Sequence, residues 1–236
     1  MADQFGNRYG SGRVPAQVGV ATPQADGGVR IEVNRVLRNT YMLLGLTLAF
    51  SALMATAAIA FNFPGIFGFP MLICFFGLLY LVHKTADSAW GLLTVFLFTG
   101  FMGANLGPIL NAYLQLANGP FLVGAAFATT AASFLGLSAY AVITKKDFSF
   151  LSGFLMMGFF VLMAAVIMSM LFDLSAFHIA ISCAFVLFSG AAILWQTGSI
   201  VNGGETNYIR ATVTLYVQIY NMFLSLLHIF GALGDD

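Results

Sequence analysis

The sequence predicts an all-α integral membrane protein, a seven-transmembrane-helix bundle with the last helix central. The composition is the first observation behind this prediction, since 60% of the residues are hydrophobic and only 8% are charged. In soluble domains about a quarter of the residues are charged. The second observation is the length of the apolar stretches, several of which reach the roughly 20 residues that a helix needs to cross a membrane.

Seven apolar stretches alternate with short polar joints. They cover residues 40–62, 66–82, 89–107, 121–143, 150–172, 176–201 and 211–231. All nine Lys and Arg residues either precede the first stretch or lie in every second joint. Because basic residues accumulate in cytoplasmic loops, this arrangement places the N-terminus in the cytoplasm. After seven spans, the C-terminus lies on the outer side of the membrane.

The first thirty residues differ from the rest, being rich in Gly and Pro and poor in apolar side chains. Such a segment cannot bury enough surface to offset its ordering entropy. We therefore predict a disordered cytosolic tail of residues 1–30 and a transmembrane domain of residues 31–236. The tail is either a solvated end or a handle for a cytosolic partner. Residues 29–38 fit a short interfacial helix whose basic side chains face lipid phosphates.

The third span carries a pattern typical of close helix packing. Gly103 and Gly107 form a small-xxx-small pair, with Gly100 one turn earlier, which lets two helix backbones approach each other. Pro108 removes a backbone donor and should end or kink the helix. We expect residues 109–117 to be a kinked extension or an interfacial segment on the outer side.

The last two spans carry polar side chains at helical spacing. On the sixth span these are Ser175, His178, Ser182, Ser189, Gln196 and Ser199, and on the seventh Thr214, Gln218, Asn221, Ser225 and His228. Such spacing gathers each set on one helix face, and polar groups avoid lipid. The two stripes either join the helices through hydrogen bonds of about 0.6 kcal/mol each or line a pathway for an ion or proton. Because Tyr216 and Tyr220 add a second polar edge, the seventh span belongs at the bundle centre.

The sequence contains no motif of a catalytic triad, zinc protease, P-loop or dinucleotide-binding turn. We therefore expect no enzyme activity, cofactor, metal or nucleic-acid partner. His178 and His228 lie on the same outer side, but two histidines without carboxylates make a weak metal site. Asp173, at the end of the fifth span, fits an N-cap of the sixth helix better than an intramembrane functional group.

Three runs of residues carry a family resemblance. They are 36–41 (VLRNTY), 107–111 (GPILN) and 203–212 (GGETNYIRAT). Over about residues 31–236 the chain resembles the Bax inhibitor-1 family, and within it the bacterial YccA-like subgroup, which modulates the membrane AAA protease FtsH. The resemblance implies seven helices with the last one central, and a multi-pass protein of the bacterial inner membrane.

The resemblance also implies a set of site residues. Family members of the calcium-leak type carry an aspartate pair on the last two helices, and two close carboxylates share a proton and can act as a pH gate. The matching positions here are Gln196 and Gln218, which can hydrogen-bond across the helix pair but cannot titrate. Lys84 matches the family's basic latch. Seam neighbours are Asn221, Ser189 and Thr214, and the family loop contributes Gly203, Gly204, Glu205, Asn207 and Arg210.

Two hypotheses of function follow, both with the lipid bilayer as surroundings. In the first, the protein binds FtsH or its complex and limits its proteolysis. In the second, it is a pH-sensitive calcium or proton leak along the seam between the last two helices. The neutral side chains at the dyad positions favour the first. A plainer alternative is a housekeeping membrane protein with another partner.

Overall fold

The computed structural model describes residues 23–172 and 177–234, and within these ranges it contains seven helices and no strands. The helices are α1 (Pro23–Ala60), α2 (Phe69–Thr85), α3 (Gly91–Leu114), α4 (Gly119–Thr144), α5 (Leu151–Leu171), α6 (His178–Val201) and α7 (Tyr208–Leu233). Each predicted apolar stretch coincides with one of them. Six are long and apolar enough to cross a membrane, and α2 is shorter, with 17 residues. The all-α fold is confirmed.

Helix α1 is longer than the first predicted span. It runs without interruption from Pro23 to Ala60, so the segment expected to be a separate interfacial helix is continuous with the span. Its start also precedes residue 31, where the membrane domain was predicted to begin. Residues 1–22 and the predicted N-cap Asp173 lie outside the described residues, so the tail and the cap stay predictions.

Helix α3 continues through Pro108 to Leu114. Of the alternatives at this proline, the helix therefore extends and does not end there. A proline inside a membrane helix is tolerated when neighbouring helices satisfy the freed backbone groups. The turn that follows is short, since α4 already starts at Gly119.

Helices α1 and α3 form the most extensive helix pair of the bundle. A Cβ on Gly103 would lie 2.3 Å from the carbonyl oxygen of Ser51, and one on Gly107 would lie 2.7 Å from that of Ala55. Both distances are far below van der Waals contact, so the two backbones touch where only glycine fits. This is the close packing that the small-xxx-small pair predicts.

Helix α7 packs against α1, α3, α4 and α6. Within its membrane window 56% of the residues are buried, the largest share among the six long helices, whereas the share for α5 is 11%. Its fully buried side chains include Val213, Leu215, Tyr216 and Leu227. The polar face of α7 therefore lies against protein, and α5 presents most of its surface to the surroundings of the bundle.

Candidate functional site

The polar stripes of α6 and α7 meet inside the bundle and form what we call the seam. It consists of Ser182, Ser189 and Gln196 on α6 and Gln218, Asn221 and Ser225 on α7. The two helices are successive, joined by residues 202–207, and pack extensively against each other. All six seam residues follow the predicted stripes into buried or half-buried positions, and Gln196 is only 3% exposed.

The two glutamines of the seam lie at similar depth. A Cβ on Gly190 would lie 3.8 Å from Cε of Met222, so these two residues are neighbours across the helix pair. Gln196 is six residues from Gly190 (196 − 190) and Gln218 is four from Met222 (222 − 218), both toward the connecting loop. At 1.5 Å per residue these are displacements of about 9 and 6 Å, so the two depths differ by roughly 3 Å.

Similar depth does not ensure a hydrogen bond between the two amides. Among the described residues, Nε2 of Gln196 and Oε1 of Gln218 have no hydrogen-bond partner, and neither has Oγ of Ser189. A hydrogen bond between the two glutamines is expected from the sequence, and these two atoms do not form one. Leaving a buried polar group unpaired costs about 1–3 kcal/mol. Thr214, the other predicted neighbour, is half-buried.

A cavity of about 780 Å³ opens at the end of the seam away from the connecting loop. We call it the outer cavity, because the predicted topology places this end outside. Its wall comes from α3, α5, α6 and α7, and its polar side chains are Tyr113, Ser169, His178, Ser182, Asn221, Ser225 and His228. No Asp, Glu, Lys or Arg of the described residues lines it. Members of both predicted stripes thus share one wall.

Hydroxyl groups connect four helices in the other half of the bundle. Tyr41 of α1 bonds Ser138 of α4, which lies 3.2 Å from the hydroxyl of Thr197 on α6. The hydroxyls of Ser51 and Tyr216 are 2.6 Å apart and join α1 to α7. The sequence reasoning identified Tyr216 as polar but missed its bond to Ser51 and the bond of Tyr41 to Ser138, because isolated Ser residues on α1 and α4 form no stripe.

Asn207 of the family loop organises the start of α7. Its Oδ1 accepts hydrogen bonds from the backbone N–H groups of Ile209 and Arg210, at 2.8 and 3.2 Å. These bonds satisfy donors that are otherwise orphaned in the first turn of a helix. Its Nδ2 donates to the carbonyl oxygen of Ala86 at 3.0 Å and to Oδ1 of Asp87 at 2.7 Å. One side chain therefore both caps α7 and ties it to the joint between α2 and α3.

Arg210 adds charge to the same contact. Its guanidinium lies 3.0 Å from Oδ2 of Asp87 and 3.6 Å from Oε1 of Glu205. We call Asp87, Glu205, Asn207 and Arg210 the Arg210 cluster. The sequence reasoning missed Asp87, although it lies in a joint on the same predicted side of the membrane as the family loop. Gly203, with φ of 76°, takes the left-handed conformation at the start of this loop.

Lys84, the predicted latch, lies elsewhere. It is exposed in the last turn of α2. Within the described ranges no carboxylate comes within 4.0 Å of its ammonium group, and both ion pairs there belong to Arg210. The acidic residue of this joint that forms an ion pair is Asp87, three residues further along, and its basic partner is Arg210 on α7.

A second, smaller cavity lies at the loop end of the seam. It has a volume of about 490 Å³ and is lined by Glu32, Val33, Arg35, Val36, Asn39, Gly203, Glu205, Thr206 and Tyr208. It therefore separates the start of α1 from the family loop. Gly204 continues this loop with a backbone bond of 2.8 Å to the carbonyl of Ser199.

The titratable groups of the described ranges include no cluster of three or more His, Cys, Asp or Glu residues that could hold a metal.

In the joint between α4 and α5, the carboxylate of Asp147 accepts hydrogen bonds from the backbone N–H and the hydroxyl of Ser149. These bonds favour the ionised form and lower the pKa of Asp147. The carboxylate thus stays charged just before α5.

Comparison with known proteins identifies one matching family model and several similar bacterial proteins. The family model described as Inhibitor of apoptosis-promoting Bax1 matches residues 33–235. An uncharacterised protein of Pseudomonas aeruginosa is 57% identical over 205 residues, which cover 87% of this chain and 92% of that protein. The protein named Modulator of FtsH protease YccA, from Escherichia coli K12, is 47% identical over 206 residues, covering 87% of this chain and 94% of its own length.

The counterpart in Escherichia coli O6:H1 carries the name Inner membrane protein YccA, with the same identity and coverage. The matched region begins at residue 33 and so includes every helix that forms the seam, the outer cavity and the Arg210 cluster. The helical architecture and the apolar spans agree with these relatives. The chain therefore belongs to the Bax inhibitor-1 family of membrane proteins, as a bacterial YccA-like member.

Proposed function

We propose that this protein modulates the membrane AAA protease FtsH in the bacterial inner membrane, by binding and not by catalysis. One observation carries the proposal: the 47% identity extends over 94% of the Escherichia coli protein that is named a modulator of that protease. The uncharged side chains of Gln196 and Gln218 support it, because they remove the carboxylate pair that the leak hypothesis needs.

The proposal includes a membrane topology. All seven helices are spans, with the N-terminus in the cytoplasm and the C-terminus in the periplasm. At 1.5 Å per residue, the 17 residues of α2 extend over about 26 Å, close to the roughly 30 Å of the hydrocarbon core. Helix α7 is the central helix, which its packing against α1, α3, α4 and α6 supports. The Arg210 cluster and the smaller cavity then face the cytoplasm.

Modulation would arise because the protease engages the chain readily but unfolds it slowly. An AAA protease must first engage an unstructured segment, for which the part of the predicted cytosolic tail that precedes α1, residues 1–22, is suited. Pulling on that tail then loads α1, the helix that directly follows it. Helix α1 is held by backbone contact at Gly103 and by hydroxyl bonds from Tyr41 and Ser51. A chain that is readily engaged but slowly extracted occupies the protease and slows its work on other substrates.

The test is degradation of a second membrane substrate by FtsH in proteoliposomes, with and without this protein. We expect slower degradation of that substrate and co-purification of the protein with FtsH in mild detergent. A variant lacking residues 2–22 should be degraded more slowly than the full chain, because the handle is gone while the bundle remains. An unchanged substrate lifetime together with no co-purification would refute the proposal.

The second candidate function is a calcium or proton leak along the seam. The outer cavity favours it, since it extends along α6 and α7 as far as Asn221. The amides of Gln196 and Gln218 oppose it, because they neither titrate nor attract a cation by net charge. Calcium flux into liposomes with a steep pH dependence would favour the leak over protease modulation.

A further inference from the structure

The seam continues below the outer cavity as a row of unpaired polar atoms. These are Oγ of Ser189, Nε2 of Gln196 and Oε1 of Gln218, none of which has a hydrogen-bond partner within the described ranges. Ser189 is completely buried and Gln196 is 3% exposed. They supply donors and an acceptor, but not to each other.

The row starts where the cavity wall ends. On α7, Gln218 lies three residues from Asn221, the cavity residue closest to the connecting loop, which is about 4.5 Å along the axis. On α6, Ser189 follows the cavity residue Phe185 by one helical turn, and Gln196 follows Ser189 by two. Spacings of three, four and seven residues keep these side chains on the faces that line the cavity.

Buried polar groups in folded proteins are almost always hydrogen-bonded, to protein or to ordered water. Interior water typically makes about three hydrogen bonds to groups that would otherwise be unpaired. A site that mixes amide donors, amide acceptors and hydroxyls matches water, which donates and accepts equally. It matches a metal cation poorly, since no carboxylate of the described residues lines the cavity.

We propose that the outer cavity continues along the seam as a hydrated cleft. Water fills the cavity, reaches Ser189 and Gln218, and bonds the amide of Gln196 at the closed end. The cleft takes water and small uncharged hydrogen-bonding molecules, and it rejects ions because burying an unpaired charge is far more costly than burying a neutral polar group. At its closed end the cleft reaches Gln196, which is only 3% exposed.

This inference does not depend on any interaction with a protease, so it is tested on the purified protein in lipid nanodiscs. Both membrane faces are then accessible, and the result is independent of orientation. In a background with Cys74→Ala and Cys183→Ala, single cysteines are introduced as Ser225→Cys in the cavity wall and as Gln218→Cys and Ser189→Cys in the cleft. The control is Gly136→Cys on α4, an exposed position where a Cβ meets nothing within 4 Å.

Each variant is reacted with a neutral and with a cationic methanethiosulfonate reagent of similar size. Because the thiolate is the nucleophile and forms only where water is present, the neutral reagent should modify both cleft cysteines within about tenfold of the rate at Ser225→Cys. The lipid-facing Gly136→Cys should react about a hundredfold more slowly. The cationic reagent should modify Ser225→Cys but lag about tenfold or more at Gln218→Cys and at Ser189→Cys.

Two results would overturn the proposal. Cleft cysteines that react as slowly as Gly136→Cys would mean that the seam is dry beyond the cavity. A cationic reagent that reaches either cleft cysteine as fast as the neutral one would mean that the cleft admits cations. The two cleft positions lie on different helices, so loss of one variant through misfolding leaves the other to decide.

Discussion

Replacing Gly103 by alanine should separate α1 from α3. The added Cβ would lie 2.3 Å from the carbonyl oxygen of Ser51 and 2.8 Å from its Cα. Both atoms belong to the backbone, so no side-chain rotation relieves the overlap. Restoring ordinary contact near 3.4 Å requires the two helices to move apart by roughly 1 Å, which loosens the packing along the whole pair.

The expected cost follows from the size of that movement. Overpacking a well-packed interior by one methyl group typically costs about 1–3 kcal/mol. The helix propensity of alanine offsets this by up to about 1 kcal/mol. Because the overlap is with backbone, we expect a net destabilisation of about 1–2 kcal/mol, near the middle of the first range.

The matched control is the same substitution at Gly136. There a Cβ meets nothing within 4 Å, so Gly136→Ala should leave stability unchanged or raise it slightly. Unfolding of both variants is followed by denaturant titration in mixed micelles, with helical content as the signal. Equal midpoints for Gly103→Ala and Gly136→Ala would show that the α1–α3 contact yields without cost, and the close-packing argument would fail.

Other substitutions test the polar contacts. Tyr216→Phe removes the bond to Ser51 and should cost about 0.6 kcal/mol, which corresponds to roughly threefold faster unfolding. Tyr80→Phe, at an exposed position, should have no effect. The rate at which FtsH degrades each variant tests both expectations. Asn207→Ala should destabilise the protein by about 1 kcal/mol, because α7 loses its cap. Asp87→Asn should destabilise it less, because it weakens only an exposed ion pair. The midpoints of denaturant unfolding compare the two variants. Replacing Gln196 and Gln218 together by Asp should create pH-dependent calcium flux in liposomes, since buried carboxylates in the seam titrate and attract cations whereas the amides do not. Flux without pH dependence would contradict this reasoning.

The periodicity of the sequence predicts which residues of a helix share a face. It therefore found the stripes of α6 and α7, and the structure places Ser182, Asn221 and Ser225 in one cavity wall. Composition and length predict the spans in the same way. Both signals are local, because they depend on spacing within one helix.

Contacts between helices depend on rotation and axial shift, and spacing within one helix does not fix these. The bonds from Tyr41 to Ser138 and from Arg210 to Asp87 join residues 97 and 123 positions apart. For the same reason, similar depth on neighbouring helices did not ensure a bond between the two seam glutamines. Nor does periodicity reveal that α1 continues from the interfacial segment into the membrane, since both parts share one helical repeat.

The amides of the seam bear on both the proposed modulation and the hydrated cleft. A carboxylate pair at Gln196 and Gln218 would make the packing of α6 against α7 depend on its protonation and so on pH. Amides keep the same charge at every pH, so the contact between these two helices does not loosen when the cell's surroundings become acidic or alkaline. A protein that works by resisting extraction needs that constancy, whereas a gated leak needs the opposite. Water in the cleft satisfies the amides without adding charge, so hydration and resistance to unfolding are compatible at this seam.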